Sequence, residues 1–254
     1  MTNIDPNAAP ASQAGTFRTE GRAVGAGRGW DWIVEAFALF RKQPGTWILT
    51  VVVLGVVFIV ISMIPVLGSL ASALLFPIFG AGLMLGCKAA DQGGMLEIGH
   101  LFAGFRQKTG DLVLVGVFNL VGWVVIAFAV AAVIGGGVFM GMMRGGMPGA
   151  GISIASMLLA MLLVAGLSVP LYMAVWFAPV LIVLHDLAPA AALKASFFAC
   201  LRNWMAFLIY GVVLLVLGIV AAIPLGLGYL VLIPVLIASV YTAYRDIFCA
   251  GQAA

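Results

Sequence analysis

Charged side chains are scarce in this sequence. Asp, Glu, Lys and Arg together make up 8% of the 254 residues, whereas soluble domains carry about 25%. Hydrophobic residues make up 64%, and the mean hydropathy is +1.22. These values exclude an ordinary soluble domain and predict an integral membrane protein. The apolar runs are long and continuous, which favours α-helical spans over a β-barrel, whose strands alternate over about ten residues.

Residues and motifs that carry chemistry are also rare. The three cysteines, Cys87, Cys200 and Cys249, are far apart and form no C-x-x-C pair, which argues against a disulfide framework or a zinc site. No hydrolase triad, phosphate loop or dinucleotide fingerprint is present. The net charge is only +3 and no basic-aromatic module occurs, so nucleic-acid binding has no support. We therefore expect no catalytic residue, no metal, no cofactor and no enzymatic activity.

Apolar segments long enough to cross a bilayer occur six times. They are Trp47–Ile64, Leu70–Cys87, Leu112–Ile134, Ile152–Leu184, Met205–Ile223 and Leu227–Tyr244. None of them contains Asp, Glu, Lys or Arg, although ion-coupled transporters usually place an ionisable residue at membrane depth. The fourth segment is too long for a simple crossing and contains Pro170 and Pro179. It is one kinked helix or a broken one, with a seventh crossing as a weaker alternative.

Positive charges predict the orientation of these spans. With the N-terminus inside, the outside connections are Pro65–Ser69, Gly135–Gly151 and Pro224–Gly226, and they contain only Arg144 of the twelve Lys and Arg residues. Because cytoplasmic loops carry the excess of Lys and Arg, both termini are predicted to be cytoplasmic. We divide the chain into a disordered tail over residues 1–28, a single membrane domain over 29–248 and a short cytoplasmic tail over 249–254.

The outside connection Gly135–Gly151 is rich in methionine. Its thioethers are soft ligands that suit Cu(I), but it contains neither Cys nor His. We favour a weakly apolar connection over a copper site.

A pattern of three repeats organises the membrane domain. Ala36–Trp47, Leu101–Leu112 and Ser196–Phe207 each contain an aromatic-rich stretch that ends in an apolar residue followed by arginine. The arginines are Arg41, Arg106 and Arg202. Two spans follow each stretch, and the second span carries the prolines that we regard as candidate hinges, Pro77, Pro170 with Pro179, and Pro234. The pseudo-repeats cover about 29–92, 93–187 and 188–248.

This pattern predicts the fold class. We expect an all-α polytopic membrane protein whose six transmembrane helices form three hairpins. Each hairpin is preceded by a cytoplasmic, interfacial amphipathic helix, which we call a lead helix.

The stretches "GWDWIVEAFALFRKQPGTW" and "GLMLGCKAADQGGMLEIGHLFAGFRQK", together with the proline-bearing hairpins, carry a family resemblance. The chain resembles an uncharacterised proteobacterial family of integral membrane proteins, found mainly in β-proteobacteria. It is more loosely similar to the membrane domain attached to some bacterial glycerophosphodiester phosphodiesterases, whose catalysis lies in a separate soluble domain that this chain lacks. The resemblance implies a bacterial inner (cytoplasmic) membrane location and no assigned chemistry.

Two sets of residues are candidates for a functional site. Trp30 and Trp32, with Trp47, are of the type that anchors a helix at the depth of the lipid headgroups. The second set is a possible cytoplasmic charge cluster at the ends of the returning spans, formed by Lys88, Asp91, His185, Asp186, Arg245 and Asp246. It could form an ion gate, but cations are also favoured at helix C-termini without any further role, and we favour that explanation.

The function predicted from these features is non-enzymatic. We expect a scaffold or accessory subunit of the inner membrane that binds membrane lipids, a membrane-protein partner or further copies of itself. The alternative is a small-molecule or lipid transporter, for which the prolines of the returning spans would serve as hinges.

Overall fold

The computed structural model describes residues 16–143 and 154–250, and the described chain is almost entirely helical. The helices are α1 (Arg28–Lys42), α2 (Pro44–Ser62), α3 (Leu67–Asp91), a 3₁₀ helix (Ile98–Phe105), α4 (Thr109–Met143), α5 (Ile154–Val175), α6 (Ala178–His185), α7 (Pro189–Arg202), α8 (Trp204–Ala222) and α9 (Tyr229–Phe248). Two residues near each end, β1 (Thr16–Phe17) and β2 (Cys249–Ala250), pair in antiparallel fashion.

Six helical segments are long and apolar enough to cross a membrane, which confirms the predicted polytopic helical class. They are α2, α3, α4, the combined stretch Ile154–His185, α8 and α9. At the positions of the predicted lead helices the structure has α1, the 3₁₀ helix and α7, and the name lead helix is kept for these three.

The third span is longer than the sequence predicted. α4 continues through Gly135 to Met143, so the predicted connection Gly135–Gly151 is wrong over its first part. The physical reason is that glycine is well tolerated in membrane helices and that Val138, Phe139 and Met140 keep the segment apolar. The remainder of that connection, residues 144–151, lies outside the described residues, whereas Met140, Met142 and Met143 of the candidate copper loop belong to α4.

The fourth span is broken at Trp176–Phe177, between α5 and α6. Ser196 of α7 occupies the break. Its hydroxyl accepts a hydrogen bond of 2.9 Å from the backbone N–H of Phe177 and donates one of 2.7 Å to the carbonyl of Met173. In an intact helix that amide would bond to that carbonyl directly, so the serine replaces one rung of the helical ladder. The question that the sequence left open is therefore answered by a break.

The four candidate hinge prolines occupy two kinds of position. Pro77, Pro170 and Pro234 lie inside α3, α5 and α9, where each removes one backbone donor. Pro179 lies in the first turn of α6, where a missing N–H has no consequence for the helix. Of these four prolines, only Pro179 lies beside a break in its span.

The core of the bundle lies around α3 and α9. In the most apolar stretch of each span, 50% of the residues of α3 and 56% of those of α9 are buried. The corresponding shares are 6% for α4 and 11% for the fourth span. Large aromatic side chains fill the centre, among them Trp32, Trp47, Phe177 and Phe248. α4 and α5 pack against each other at the periphery and present most of their surface outward.

Each lead helix packs mainly against the pair of spans that comes before it in the chain. The 3₁₀ helix packs on α3, and α7 packs on α5 and α6. α1 packs on α8 and α9, the pair of spans farthest from it along the described chain. Glycines permit two of these approaches: a Cβ on Gly29 would lie 2.1 Å from the carbonyl oxygen of Ala206, and one on Gly104 would lie 2.1 Å from that of Ile78.

A corner separates each lead helix from the span that follows it. At each of the three corners, a polar side chain contacts the segment before another lead helix. Gln43 accepts a hydrogen bond of 2.8 Å from the backbone N–H of Leu96, just before the second lead helix. Lys108 forms an ion pair of 3.2 Å with Asp186, just before the third. Asn203, at the third corner, forms hydrogen bonds with the backbone of Arg22 and Val24, just before α1. Each corner therefore contacts the segment before another predicted lead helix, and for the third corner that segment is the one before α1.

The predicted disordered tail over residues 1–28 is wrong from Thr16 onward. Asn203, which is buried, accepts a hydrogen bond of 2.7 Å from the backbone N–H of Val24 and donates one of 2.9 Å to the carbonyl of Arg22. The pairing of β1 with β2 ties the same segment to the end of α9. The segment is rich in small residues but has a defined structure, because its backbone polar groups form hydrogen bonds with α7 and α9. Residues 1–15 lie outside the described chain.

Gly29→Ala is expected to lower the thermal stability of the detergent-solubilised protein, because the new methyl group would push α1 away from α8. Overpacking of this kind costs roughly 1–3 kcal/mol. Gly27→Ala is the matched control, since nothing lies within 4 Å of the Cβ it would add. Thermal unfolding monitored by tryptophan fluorescence compares the two variants. Equal midpoints would contradict the close contact of α1 with α8.

Candidate functional site

Six charged side chains of alternating sign form one network at the end of the bundle where α3 and α9 finish. Their order along the network is Asp91, Arg245, Glu35, Arg28, Asp246 and Arg22. They come from α1, α3, α9 and the N-terminal segment. A seventh charged side chain, Asp31, branches from Arg28, so four carboxylates face three guanidinium groups.

Arg245 connects α9 to α3 and to α1. Its Nη1 lies 2.7 Å from Oδ1 of Asp91, and its Nη2 lies 2.8 Å from Oε2 of Glu35. The other oxygen of Glu35 lies 2.9 Å from Nη2 of Arg28. The hydroxyl of Tyr241 donates a further hydrogen bond of 3.1 Å to Asp91. One arginine and one glutamate therefore connect α3, α9 and α1.

Asp246 is the most buried member of the network, with a side chain only 4% exposed. Its carboxylate accepts hydrogen bonds from Nε of Arg28 at 2.6 Å and from Nε1 of Trp32 at 2.9 Å. It also pairs with Arg22, whose Nε donates to the backbone carbonyl of Asp246 at 2.7 Å. Three donors from two segments satisfy one buried carboxylate, which is what makes burial of this charge tolerable.

Arg28 is the first residue of α1 and forms ion pairs with carboxylates of α1 and α9. Burial favours the neutral guanidine, but the hydrogen bond and charge of Asp246 and those of Glu35 outweigh that effect and raise the pKa of Arg28 above its ordinary value. A third carboxylate, Asp31, lies 3.2 Å from Nη1 of Arg28. Arg28 therefore remains a cation at all pH values at which the protein is folded.

The structure brings together only some residues of the predicted charge cluster. Asp91, Arg245 and Asp246 belong to the network. Asp186 instead pairs with Lys108, and these side chains are 80% and 42% exposed. Within the described residues no ion pair connects that pair to the network.

The two other members of the predicted cluster lie beside the paired ends of the chain. His185 hydrogen-bonds to the hydroxyl of Tyr244, and the ring of Phe17 stacks on its imidazole with 3.5 Å between the centroids. Burial raises the pKa of the Cys249 thiol, and the nearby charge of Lys88 opposes that rise. The N-terminal segment thus covers a histidine that the sequence presented as a candidate gate.

The tryptophans differ from the prediction that they anchor the helix among headgroups. Trp30 is 52% exposed, as an interfacial anchor requires, but Trp32 and Trp47 are fully buried, so the prediction is wrong for both. Trp32 turns inward because its indole N–H meets the carboxylate of Asp246, a partner that only the folded chain supplies.

The three repeated arginines do not share one role. The guanidinium of Arg41 is exposed and lies 5.9 Å from the ring centroid of Phe37. Arg106 is also exposed and ends the 3₁₀ helix. Arg202 donates hydrogen bonds to the carbonyls of Glu20 and Gly21 and so fastens the N-terminal segment.

A cavity of about 170 Å³ opens beside the network. Its polar lining residues are Glu35, Lys42, Asp91, Thr242 and Arg245. The charged groups there are already engaged with one another, apart from Lys42, whose nearest acceptor is the carbonyl of Ala90 at 3.5 Å. Over the described chain, no group of three or more His, Cys, Asp or Glu side chains is placed to hold a metal ion. The arrangement suits fastening of helices more than a reaction.

Sequence reasoning missed Arg22, Arg28 and Glu35 as members of this site. Arg28 carried a usable signal, because Asp31 and Glu35 follow it at spacings of three and seven along the same helix. Arg22 carried none, since its position depends on the N-terminal segment folding back onto α9.

Comparison with known proteins gives one informative relative. The chain is 30% identical over 250 residues to a probable inner membrane protein of Burkholderia thailandensis, and the match covers 89% of this chain and 92% of the relative. No protein-family model matches the chain. No solved structure matches it either.

Asp246→Asn is expected to destabilise the protein by about 3 kcal/mol, the lower end of the range for breaking a buried ion pair, because Arg22 is partly exposed. It should also release the N-terminal segment and speed tryptic cleavage after Arg22. Asp31→Asn is the matched control, because Asp31 is 47% exposed and, among the described residues, pairs only with Arg28, a kind of contact worth about 0–1 kcal/mol. Unfolding midpoints and digestion rates that are the same in both variants would contradict the role assigned to Asp246.

Proposed function

We propose a function from one premise: the chain belongs to the family of the probable inner membrane protein of Burkholderia thailandensis. It is an integral inner-membrane protein with six helical spans. We propose that it is not an enzyme but a scaffold or accessory subunit, whose outer surface binds lipid, a membrane partner or a second copy of the chain.

The observation that carries this proposal is the internal pairing of the charged network. Asp91, Glu35 and Asp246 are each held by arginines of the same chain, with N–O distances of 2.6–2.9 Å for Arg28 and Arg245. Groups held in this way stabilise helix packing and are poorly placed to bind a substrate. The apolar sides of α4 and α5 remain available for contacts with lipid or protein.

The proposed topology has three hairpins, with the lead helices in the cytoplasmic interface and both termini in the cytoplasm. The pairing of β1 with β2 supports two ends on the same side of the bundle, as six crossings require. The distribution of Lys and Arg favours the cytoplasmic side. On α1, the exposed residues Trp30, Val34, Phe37 and Arg41 follow each other at helical spacing and suit a helix lying in the interface.

A transporter is the alternative, and the broken fourth span is the observation that favours it. Discontinuous helices line the binding sites of many secondary transporters. The indole Nε1 of Trp176, at this break, is buried and has no hydrogen-bond partner among the described residues. Against this role, Ser196 bridges the break, and the rings of Phe207 and Tyr210 pack around Trp176.

The topology predicts the behaviour of reporter fusions. Green fluorescent protein at the C-terminus is expected to fluoresce, and alkaline phosphatase at the same place is expected to be inactive, because its disulfides form only outside the cytoplasm. Alkaline phosphatase inserted within residues 144–153 serves as the matched control and should be active. The opposite pattern of activities would show that the orientation is the reverse of the one proposed.

Reconstitution separates the scaffold from the transporter. Purified full-length protein in liposomes is expected to take up radiolabelled amino acids and sugars no faster than protein-free vesicles, while mass spectrometry of the purified protein finds retained lipid or a protein partner. Saturable uptake above that of empty vesicles would overturn the scaffold in favour of the transporter. Purification of the chain with neither lipid nor partner would contradict the binding role.

A further inference from the structure

An apolar groove of about 430 Å³ lies between α4, α5 and α7, and none of its lining residues belongs to the ion-pair network. Its principal apolar walls are Phe118 of α4, Pro170 and Leu171 of α5, and Leu193 and Phe198 of α7. The charged residue that lines it is Lys194 of α7. Pockets that hold small ligands typically enclose roughly 300–1,000 Å³, so the groove is large enough for part of a lipid chain.

The groove runs from the membrane interface into the hydrocarbon. α7 connects the end of the fourth span, at His185, to the start of the fifth span, at Trp204. Both of these span ends lie on the same side of the bundle, so α7 lies at the level of the interface. Pro170 and Phe118, in contrast, belong to helices that cross the membrane. A ligand that fills the groove therefore has one end among headgroups and the other among acyl chains.

The charge at the interfacial end is not neutralised by the protein. Lys194 is exposed, and the sequence of α7, "PAAALKASFFACLR", contains no carboxylate. Within the described chain Lys194 takes part in no ion pair, unlike Lys108, which pairs with Asp186. An unpaired lysine near the cytoplasmic leaflet attracts anionic headgroups by about 1 kcal/mol.

We infer that this groove binds one anionic phospholipid, with an acyl chain along Pro170 and Leu171 and the phosphate beside Lys194. The inference rests on the proposed lipid-binding function and adds the lipid class and the site. An anionic head is favoured because a zwitterionic one would bring its own cationic group close to Lys194. A free phosphate is disfavoured as the occupant because it would leave the apolar walls unfilled.

Native mass spectrometry of the full-length protein tests the headgroup contact. The protein is equilibrated in micelles containing phosphatidylglycerol and phosphatidylcholine in equal amounts. Wild type is expected to retain phosphatidylglycerol preferentially, and Lys194→Gln is expected to lower that preference about five-fold. Lys194→Arg should keep it, because the positive charge remains. Lys108→Gln is the matched control and should also keep it, because the charge it removes is already paired.

Photocrosslinking tests the groove itself. Phosphatidylglycerol with a diazirine on one acyl chain is expected to label peptides that contain Phe118 and the stretch 170–174. Labelling confined to other helices, or an unchanged lipid preference in Lys194→Gln, would overturn this site while leaving general lipid binding intact. Absence of any retained lipid in wild type would instead remove the proposed function on which the site rests.

Discussion

The buried carboxylate of Asp246 is the constraint on which the arrangement of this chain depends. A charge that is 4% exposed is destabilising unless it is paired and hydrogen-bonded. Its partners are Arg22, Arg28 and Trp32, which all come from the N-terminal part of the chain, whereas Asp246 lies in the last turn of α9. The carboxylate is therefore satisfied only when the two ends of the protein meet, and its burial makes an open chain unfavourable.

Closure of the ends explains why α1 packs where it does. In the other two repeats, the lead helix packs on the spans before it, and the corner before a span contacts the segment that follows that pair. The pair α8 and α9 is instead covered by the start of the described chain. The N-terminal segment and α1 take that place, with Asn203 and Arg202 holding the segment by its backbone carbonyls and amides. The two ends of the described chain are thus packed together.

The sequence predicted the parts of this arrangement that local composition determines. Hydropathy located six spans, because a bilayer requires about twenty apolar residues wherever a helix crosses it. The pairing of Asp246 with Arg22 could not be predicted in the same way, since 224 residues separate them and neither carries a local signal. The corners show the same limit: Gln43, Lys108 and Asn203 make equivalent contacts with three different chemical groups, so no shared residue type reveals them.

The least buried part of the bundle lies away from the charged network. The charges near α3 and α9 are paired with one another, whereas α4 and α5 are the least buried of the candidate spans. There Ser196 has two consequences. By bridging Met173 and Phe177 it stabilises the broken span, and it holds α7 against α5. Two residues before it on α7 is Lys194 and one residue after Met173 is Ala174, and both line the apolar groove. The serine that bridges the break in the fourth span thus lies next to residues of the apolar groove.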